Sequence, residues 1–214
     1  MSECIWITGG GGDLARHIQT VFQELHDQVM APTRHELDVT DPASVEAFAT
    51  EQPTPDLLIC QAGIAENALL ARCSEDAWDR QIEVNLHGTY RCVQRVLPAM
   101  VARQSGHLIF ISSHAAIHPA PGQAAYASAK AGLIGFAKSL AAEVGPDGLR
   151  VNVILPGFLE TRMTRDLSPQ RLEQVKNEHH LKRFNTPDAV AQFIRHLHRE
   201  LPHTSGQIFA LDSR

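Results

Sequence analysis

Four consecutive glycines at residues 9–12 join a short apolar stretch, residues 4–8, to a segment of helical periodicity. A helix is predicted to begin at about Asp13, because apolar side chains then recur at Leu14, Ile18 and Phe22. A turn without side chains lets the backbone approach a phosphate group, and the N-terminus of the following helix favours negative charge. Glycine strings alone are common. The strand before and the helix after this one favour the opening of a dinucleotide-binding α/β unit.

A tyrosine and a lysine four residues apart form the second feature. Tyr126 and Lys130 lie in the run AAYASAKAGLIGFAKSLAAE, where a helix places both on one face. We expect the charge of Lys130 to lower the pKa of the Tyr126 phenol, which makes it a proton donor and acceptor near neutral pH. Ser113 directly follows the β-rich run HLIFIS, at the strand end where open α/β sheets place ligands. A Tyr–Lys pair alone is usually a chance pairing on a helix surface, but the serine and the glycine turn favour a functional site.

The remaining periodicity predicts a single domain over residues 1–214. Further strands are predicted at about residues 29–32, 56–60, 107–112, 150–155 and 206–212, with helices between them. One of these helices is predicted to run from about Glu75 to Arg103. This alternation is typical of an α/β fold in which a parallel sheet is flanked by helices.

Composition excludes several classes. The net charge of -5 gives no sign of a nucleic-acid-binding surface. Four scattered cysteines without a CxxC spacing favour reduced thiols and a cytoplasmic location. The N-terminus lacks the pattern of a signal peptide, and no apolar run has the length of a membrane helix. The histidine pairs at residues 179–180 and at 196 and 198 are interpreted as solvated helix faces, so no metal site is predicted.

Six segments occur in the order and spacing of a known family. They are TGGGGDLA at residues 8–15, CQAG at 60–63, VNL at 84–86, ISS at 111–113, YASAK at 126–130 and PGFLET at 156–161. Each alone is a weak pattern, but the ordered set is specific. The chain therefore resembles the short-chain dehydrogenase/reductase family over nearly its whole length. Within that family it is most similar to 3-oxoacyl-(acyl-carrier-protein) reductases, through GQAAYASAKAGLIGFAKSLAAE and RVNVILPGFLETRMTRDLS.

The resemblance implies a Rossmann-like, doubly wound parallel sheet and a catalytic set. The set would comprise Asn85, Ser113, Tyr126 and Lys130. Ser113 and Tyr126 would hold a substrate carbonyl, with Tyr126 as general acid, and Lys130 would also bind the nicotinamide ribose. Asn85 would organise a water near Lys130. The alternative for Asn85 is a buried polar residue satisfied by backbone groups.

The resemblance also implies a set of cofactor-binding residues. With Tyr126 and Lys130, they are Thr8, Gly9, Gly11, Gly12, Asp13, Leu14, Arg34, Asp38, Val39, Ala62, Gly63, Pro156, Gly157 and Thr161. Thr161 would contact the nicotinamide amide and Asp38 the adenine. The residues after the second strand include Arg34 but no acid until Glu36, so NADPH is the predicted cofactor, with NADH as the alternative.

Three departures from the family pattern stand out. Asp13 and Ala15 replace the second and third glycines of the turn, and we expect Asp13 to cap the helix and to point away from a pyrophosphate. Cys60-Gln61 replaces the usual pair of asparagines, which removes side-chain bonds that fix the neighbouring loop. Between the second strand and the LDVTD segment there is no room for the dozen residues of a parallel crossover. The third strand is therefore predicted to be shortened or missing.

The predicted activity is NADPH-dependent reduction of a 3-oxoacyl thioester, carried by an acyl carrier protein. Arg103, Arg165 and Arg171 are candidates for contacts with an acidic carrier. Two alternatives stay open: a reductase or dehydrogenase of another small alcohol or ketone, such as a sugar or a steroid, and a cofactor-binding regulator without turnover. By resemblance, the Tyr126 helix and the long helix before it form the subunit interface of a homodimer or homotetramer. Residues 160–182 resemble the family's substrate lid.

Overall fold

The computed structural model describes residues 2–162, 164–165 and 167–214. Six strands form one sheet in the order β2-β1-β3-β4-β5-β6, and every neighbouring pair is parallel. The predicted single, doubly wound parallel sheet is therefore confirmed. The strands are β1 Cys4–Ile7, β2 Gln28–Met30, β3 Leu57–Cys60, β4 Gly106–Ile111, β5 Leu149–Leu155 and β6 Ile208–Ala210.

Helices cover both faces of the sheet. On one face lie α1 (Asp13–Gln23) and α7 (Pro187–Arg199), and on the other lie α2 (Pro42–Glu51), α4 (Gly88–Ala102) and α5 (Ala124–Val144). Two further helices of the described residues are α3 (Glu75–Ile82) and α6 (Pro169–Glu178). Each parallel crossover thus buries one apolar helix stripe against the sheet.

Successive side chains of a strand point to opposite faces of the sheet, so each strand contributes to the hydrophobic cores on both faces. In β1, Ile5 and Ile7 pack toward α1 and α7, whereas Trp6 packs toward the opposite face and meets Phe48 edge-to-face at 4.9 Å. Because both faces are covered, the strand is apolar at every position, which is typical of a central parallel strand.

One of the two edge strands of the sheet is β2. No further strand pairs with β2 in the described part of the chain, and residues 31–41 lead directly into α2. Leu37 N–H donates to the Thr33 carbonyl at 2.9 Å, which closes a tight turn, and Asp41 then caps α2 by accepting from Ala43 N–H at 2.9 Å. The predicted loss of the third strand is confirmed.

The long helix expected from Glu75 to Arg103 contains a turn of different hydrogen bonding. Residues 83–87 form a π-helical turn between α3 and α4, in which the Gly88 N–H donates to the Glu83 carbonyl, five residues back. The predicted helix is therefore present from Glu75 to Ala102, with a π-helical turn that the periodicity did not predict. Single π turns often occur at functional sites, and this one contains Asn85.

The interpretation of the histidine pairs as solvated is wrong for one member of each. His179 and His198 are 1% and 8% exposed, whereas His180 and His196 are exposed. Helical periodicity turns adjacent or next-but-one residues to different faces, so one of each pair faces the interior. No cluster of three metal-ligating side chains occurs among the described residues. Within those same residues, no helix combines the length and apolarity needed to cross a membrane.

Candidate active site

The predicted site residues gather at the carboxyl edge of the sheet. The glycine turn follows β1, residues 61–63 follow β3, Ser113 follows β4 by two residues, and Pro156 and Gly157 follow β5. Parallel strands end at one edge, so segments far apart in sequence meet there.

Helix α5 is fastened to the end of β4 by two hydrogen bonds. The Ser112 hydroxyl donates to the Lys130 carbonyl at 2.8 Å, and Lys130 Nζ donates to the Ile111 carbonyl at 2.9 Å. Ser113 begins a single 3₁₀ turn and accepts from Ala115 N–H at 3.2 Å. Together these contacts bring Tyr126, Lys130 and Ser113 to one place. Ser112 was not predicted, although its place beside Ser113 at the strand end was a usable signal.

Burial controls the proton affinity of Tyr126. Burial raises the pKa of the phenol, and hydrogen bonding by the Ser113 hydroxyl partly opposes that rise. The expected lowering by Lys130 is wrong in this geometry, because Lys130 Nζ lies 5.9 Å from the centre of the Tyr126 ring and bonds to Ile111. The phenol therefore keeps its proton at neutral pH.

Lys130 is 4% exposed, and burial lowers the pKa of its ammonium group to about 8. Gly63 packs against it. A Cβ atom at Gly63 would lie 3.4 Å from Lys130 Nζ and 2.7 Å from Asn85 Oδ1. Only glycine fits between these two side chains, which explains the CQAG motif at this position.

Asn85 is fully buried in the π turn and holds the loop after β3. Its Oδ1 accepts from Ile64 N–H at 3.2 Å, while its Nδ2 donates to the carbonyls of Ile64 at 2.9 Å and Gln81 at 2.8 Å. The Asn85 amide is thus hydrogen-bonded to backbone groups, as the alternative interpretation of this residue predicted. Its action on a water near Lys130 stays a prediction.

The glycine turn is positioned from below by Thr8. The Thr8 hydroxyl accepts from the N–H groups of Gln61 and Ala62 at 3.0 and 3.1 Å, so Thr8 acts on the β3 loop and is only 3% exposed. These bonds hold the start of the loop that follows β3. Gly9 has φ +73°, and a Cβ there would come within 2.9 Å of Ala62 Cα. Gly11, in contrast, has open space around it.

Several predicted cofactor residues are part of the scaffold. Leu14 packs in the core beneath α1, and Val39 is 6% exposed against Gly88. Asp38 accepts from the Thr40 N–H and hydroxyl at 2.9 and 2.7 Å, and its other oxygen meets Arg34 at 3.1 Å. Only the backbone of Leu14 and Val39 is therefore available to a ligand.

The sequence predicted that Asp13 caps α1, and this prediction is wrong. The capping position belongs to Gly12, which makes no side-chain hydrogen bond. The Asp13 carboxylate is turned toward Arg16 and Arg162, and the Arg162 backbone N–H is the leading cause of its lowered pKa. Arg162 was not predicted, because its contact with Asp13 joins segments that are distant in sequence.

The segment after β5 is held by local bonds. Gly157 has φ +79°, and a Cβ there would lie 2.6 Å from Asp212 Cβ. Thr161 N–H donates to Thr164 Oγ1 at 2.9 Å, and the Pro156 carbonyl accepts from Asn185 Nδ2 at 2.9 Å. The predicted residues Pro156, Gly157 and Thr161 thus lie along one ordered segment at the sheet edge.

Arg103 is not near this site. It donates to the carbonyls of Thr54 at 3.2 Å and Ser105 at 2.8 Å, and it pairs with Asp56 at 3.4 Å. Those residues precede β3 and β4, at the amino edge of the sheet. The expectation that Arg103 meets a carrier at the site mouth is therefore wrong.

Comparison with known proteins assigns the family. The family model described as enoyl-(acyl carrier protein) reductase matches residues 6–213. A 3-oxoacyl-(acyl-carrier-protein) reductase of Thermotoga maritima is 38% identical over 169 residues, which is 78% of this chain and 69% of the relative. The enzyme of the same name from Salmonella typhimurium is 47% identical over 136 residues, covering 62% of this chain and 56% of the relative.

Solved structures show the same fold. A short-chain dehydrogenase/reductase family oxidoreductase of Burkholderia thailandensis superposes with a TM-score of 0.90 at 31% identity, covering 100% of this chain and 92% of that one. A 3-oxoacyl-(acyl-carrier protein) reductase of Brucella melitensis gives 0.88 at 25% identity, covering 98% and 89%. The chain belongs to the short-chain dehydrogenase/reductase family. It is accordingly an NAD(P)-dependent oxidoreductase.

Proposed function

We propose that this enzyme reduces a 3-oxoacyl thioester with NADPH. The observation that carries the proposal is the junction of β4 and α5, where a protonated Tyr126, the Ser113 hydroxyl and a buried Lys130 come together. The names of the relatives from Thermotoga maritima and Salmonella typhimurium support the substrate class. Reduction of another small ketone by the same groups is the alternative.

The residues of this chain fit a dinucleotide. Gly11 opens onto free space at the turn, and the buried Oε1 of Gln61 has no hydrogen-bond partner among the described residues. Beside it, Gln61 Nε2 would lie 3.0 Å from a Cβ at Gly12. The turn, Gln61 and the backbone of residues 62–63 would hold the cofactor, and Arg34 would meet a 2'-phosphate. A bound reduced nicotinamide supplies the hydride.

The protein's own part in the reaction is orientation and proton transfer. The Ser113 and Tyr126 hydroxyls donate to the substrate carbonyl oxygen. As negative charge develops there, Tyr126 transfers its proton as general acid, which its raised pKa allows because the phenol is still protonated at neutral pH. Lys130, buried one helical turn away and bonded to the Ile111 carbonyl, would bind the nicotinamide ribose. Asn85 holds the loop after β3 in place beside Lys130.

A substrate panel tests this proposal. Consumption of NADPH and of NADH is followed by absorbance with acetoacetyl thioesters, a ketosugar and a steroid ketone. The proposal expects the highest kcat/KM for the thioester with NADPH. Good turnover of the sugar or the steroid, with none of the thioester, would instead support the alternative substrate class.

We further propose that the carrier docks on the segment around α6. Residues 160–183 contain six Lys and Arg against four Asp and Glu, and Lys176, Lys182 and Arg183 are exposed. Charge complementarity acts mainly on encounter with an acidic partner. A triple change of these three residues to Glu should raise KM for carrier-bound substrate and leave KM for a small thioester unchanged. Arg195→Glu on α7 is the control; equal effects on both substrates would contradict docking here.

We also propose a homo-oligomer paired through α4 and α5, and a cytoplasmic location. Tyr90 on α4 is 47% exposed, and Ala131 and Gly135 leave an exposed strip of small residues on α5. Sedimentation of Gly135→Arg should show monomers where the wild type shows dimers or tetramers, and an unchanged profile would remove this face from consideration. All four cysteines are free thiols, which supports a reducing compartment.

A further inference from the structure

Arg162 reaches back from the segment after β5 to the glycine turn. Its backbone N–H donates to Asp13 Oδ2 at 2.7 Å, its Nε lies 3.3 Å from Asp13 Oδ1, and its terminal nitrogen donates to the Gly11 carbonyl. Arg16, one turn into α1, pairs with the same carboxylate. The contact joins two segments separated by 149 residues.

The direction of the Asp13 side chain leaves the helix terminus free. Asp13 opens α1, but its carboxylate faces the two arginines and makes no capping bond. Among the residues that the structure describes, the N–H groups of Asp13 and Leu14 have no acceptor. The first N–H groups of a helix then remain available to an anion.

The local charge is positive even with the carboxylate included. One carboxylate, Asp13, lies between two guanidinium groups, Arg16 and Arg162. The repulsion of a phosphate that the sequence predicts for an aspartate at this position is therefore offset. The guanidinium group matches the geometry of a carboxylate or a phosphate equally well.

We propose that Arg162 binds the pyrophosphate of the dinucleotide and that the Asp13 carboxylate competes with the pyrophosphate for this guanidinium. The inference rests on the proposed function, since it concerns the same cofactor site. Asp13 then keeps Arg162 at the turn, and binding exchanges a carboxylate partner for a phosphate partner. Arg162 is anchored for this role, because Thr164 Oγ1 accepts from Thr161 N–H at 2.9 Å and donates to the Leu159 carbonyl at 2.8 Å.

Cofactor fragments separate this contact from the rest of the site. Calorimetric affinities are measured at fixed ionic strength for 2'-phospho-ADP-ribose, which contains the pyrophosphate, and for 2'-AMP, which lacks it. Arg162→Gln should weaken binding of the first by about tenfold and leave the second unchanged, as expected for loss of charge-assisted hydrogen bonds. Arg165→Gln, three residues further along the same segment, is the matched control.

The competing carboxylate is tested by Asp13→Asn, which should tighten binding of 2'-phospho-ADP-ribose severalfold. That gain in affinity should vanish in the double variant with Arg162→Gln, because the guanidinium for which the carboxylate and the pyrophosphate compete is then absent. Equal affinity of Arg162→Gln and wild type for 2'-phospho-ADP-ribose, or equal losses for both fragments, would overturn the inference and leave the proposed reductase standing. Failure of the wild type to bind either fragment or NADPH would overturn both.

Discussion

Burial sets the protonation states of the two residues that would handle the proton. It raises the pKa of Tyr126 and lowers that of Lys130 to about 8. The phenol therefore retains at neutral pH the proton that a general acid must deliver, while Lys130 is still mostly protonated there. The Ser113 hydroxyl moderates the shift of the Tyr126 pKa, and in the proposed mechanism both hydroxyls donate to the substrate carbonyl oxygen.

Tyr126→Phe removes that proton donor and keeps the ring's packing. We expect kcat to fall by ~10²–10⁴-fold, the usual contribution of a positioned general acid. NADPH affinity, measured by titration on the same variant, should change little. Tyr90→Phe, an exposed tyrosine on α4, is the control. Turnover of Tyr126→Phe close to the wild-type rate would remove Tyr126 from the mechanism.

Arg34 decides the cofactor prediction. Its side chain is 79% exposed and its Nε lies 3.1 Å from Asp38 Oδ2, at the loop that follows β2. Arg34→Ala should lower the ratio of kcat/KM for NADPH to that for NADH by about tenfold, because a charge-assisted contact to the 2'-phosphate is lost. Arg195→Ala should leave the ratio unchanged. An unchanged ratio in Arg34→Ala would mean that this arginine is merely solvated.

Residue types at motif positions were predictable from sequence, but their contacts were not. The Tyr126–Lys130 spacing and Ser113 at a strand end predicted a shared location, and the contacts of Ser112 and Lys130 produce it. The bond from Arg162 to Asp13 could not be predicted from local sequence, because residues 13 and 162 come together only when the whole sheet is formed. The sign of the Tyr126 shift also depended on burial, which periodicity does not measure.

At the scale of elements, the link between β1 and the loop after β3 sets the site's rigidity. Thr8 accepts two backbone N–H groups through one buried hydroxyl. Strand positions were visible in the apolar runs, whereas the π turn at residues 83–87 was not, because one extra residue in a helix leaves no distinct pattern of residue types. The shortened β2 connection could be predicted because it depends on length alone.

Thr8→Val should destabilise the protein by roughly 1–3 kcal/mol, because two buried N–H groups lose their acceptor. Urea unfolding measures the loss at fixed protein concentration. Thr20→Val on α1 is the matched control, since its hydroxyl bonds to the Arg16 carbonyl at an exposed site. A loss in Thr8→Val no larger than in Thr20→Val would show that the β3 loop is held by other contacts.

At the scale of the whole molecule, a buried polar chain at the amino edge of the sheet joins β4, β5, α7 and the N-terminus. Asn152 Nδ2 lies 3.1 Å from His107 Nε2, His107 Nδ1 lies 3.1 Å from His198 Nδ1, and His198 Nε2 lies 2.8 Å from Glu3 Oε2. Asn152 is oriented by Gln207 N–H and the Thr204 carbonyl, so its Nδ2 must donate to His107. That assigns the remaining protons to His107 Nδ1 and His198 Nε2.

Because His107 Nε2 accepts a hydrogen bond from Asn152, it cannot also carry the second proton of a charged imidazolium. Burial lowers the pKa of His107 well below its usual value, and the charge of Arg150 adds to the effect. Arg199 completes the cluster by pairing with Glu3 and Asp27, both at 2.6 Å. Because the unfolded chain binds the proton more tightly, acid should favour unfolding as the pH falls below about 6.5.

His107→Gln should flatten this dependence. Between pH 7.5 and 5.5 the wild type should lose about 1.4 kcal/mol more unfolding free energy than the variant, the value for one group with an unfolded pKa near 6.5. His196→Gln, exposed on α7, should follow the wild type. Parallel pH profiles for wild type and His107→Gln would show that the proton is taken up elsewhere.

The edge position of β2 has a consequence for engineering. Among the described residues this strand pairs only with β1. The turn after it is closed locally, with Glu36 accepting from the Thr33 N–H at 2.7 Å and from its hydroxyl at 2.8 Å. An added strand and helix grafted at residues 33–36 would meet a free edge and break no existing strand pair. Lengthening such a surface connection costs only about 0.6 kcal/mol per doubling. The loop after β2 can therefore be rebuilt while the region around Tyr126 is left as it is.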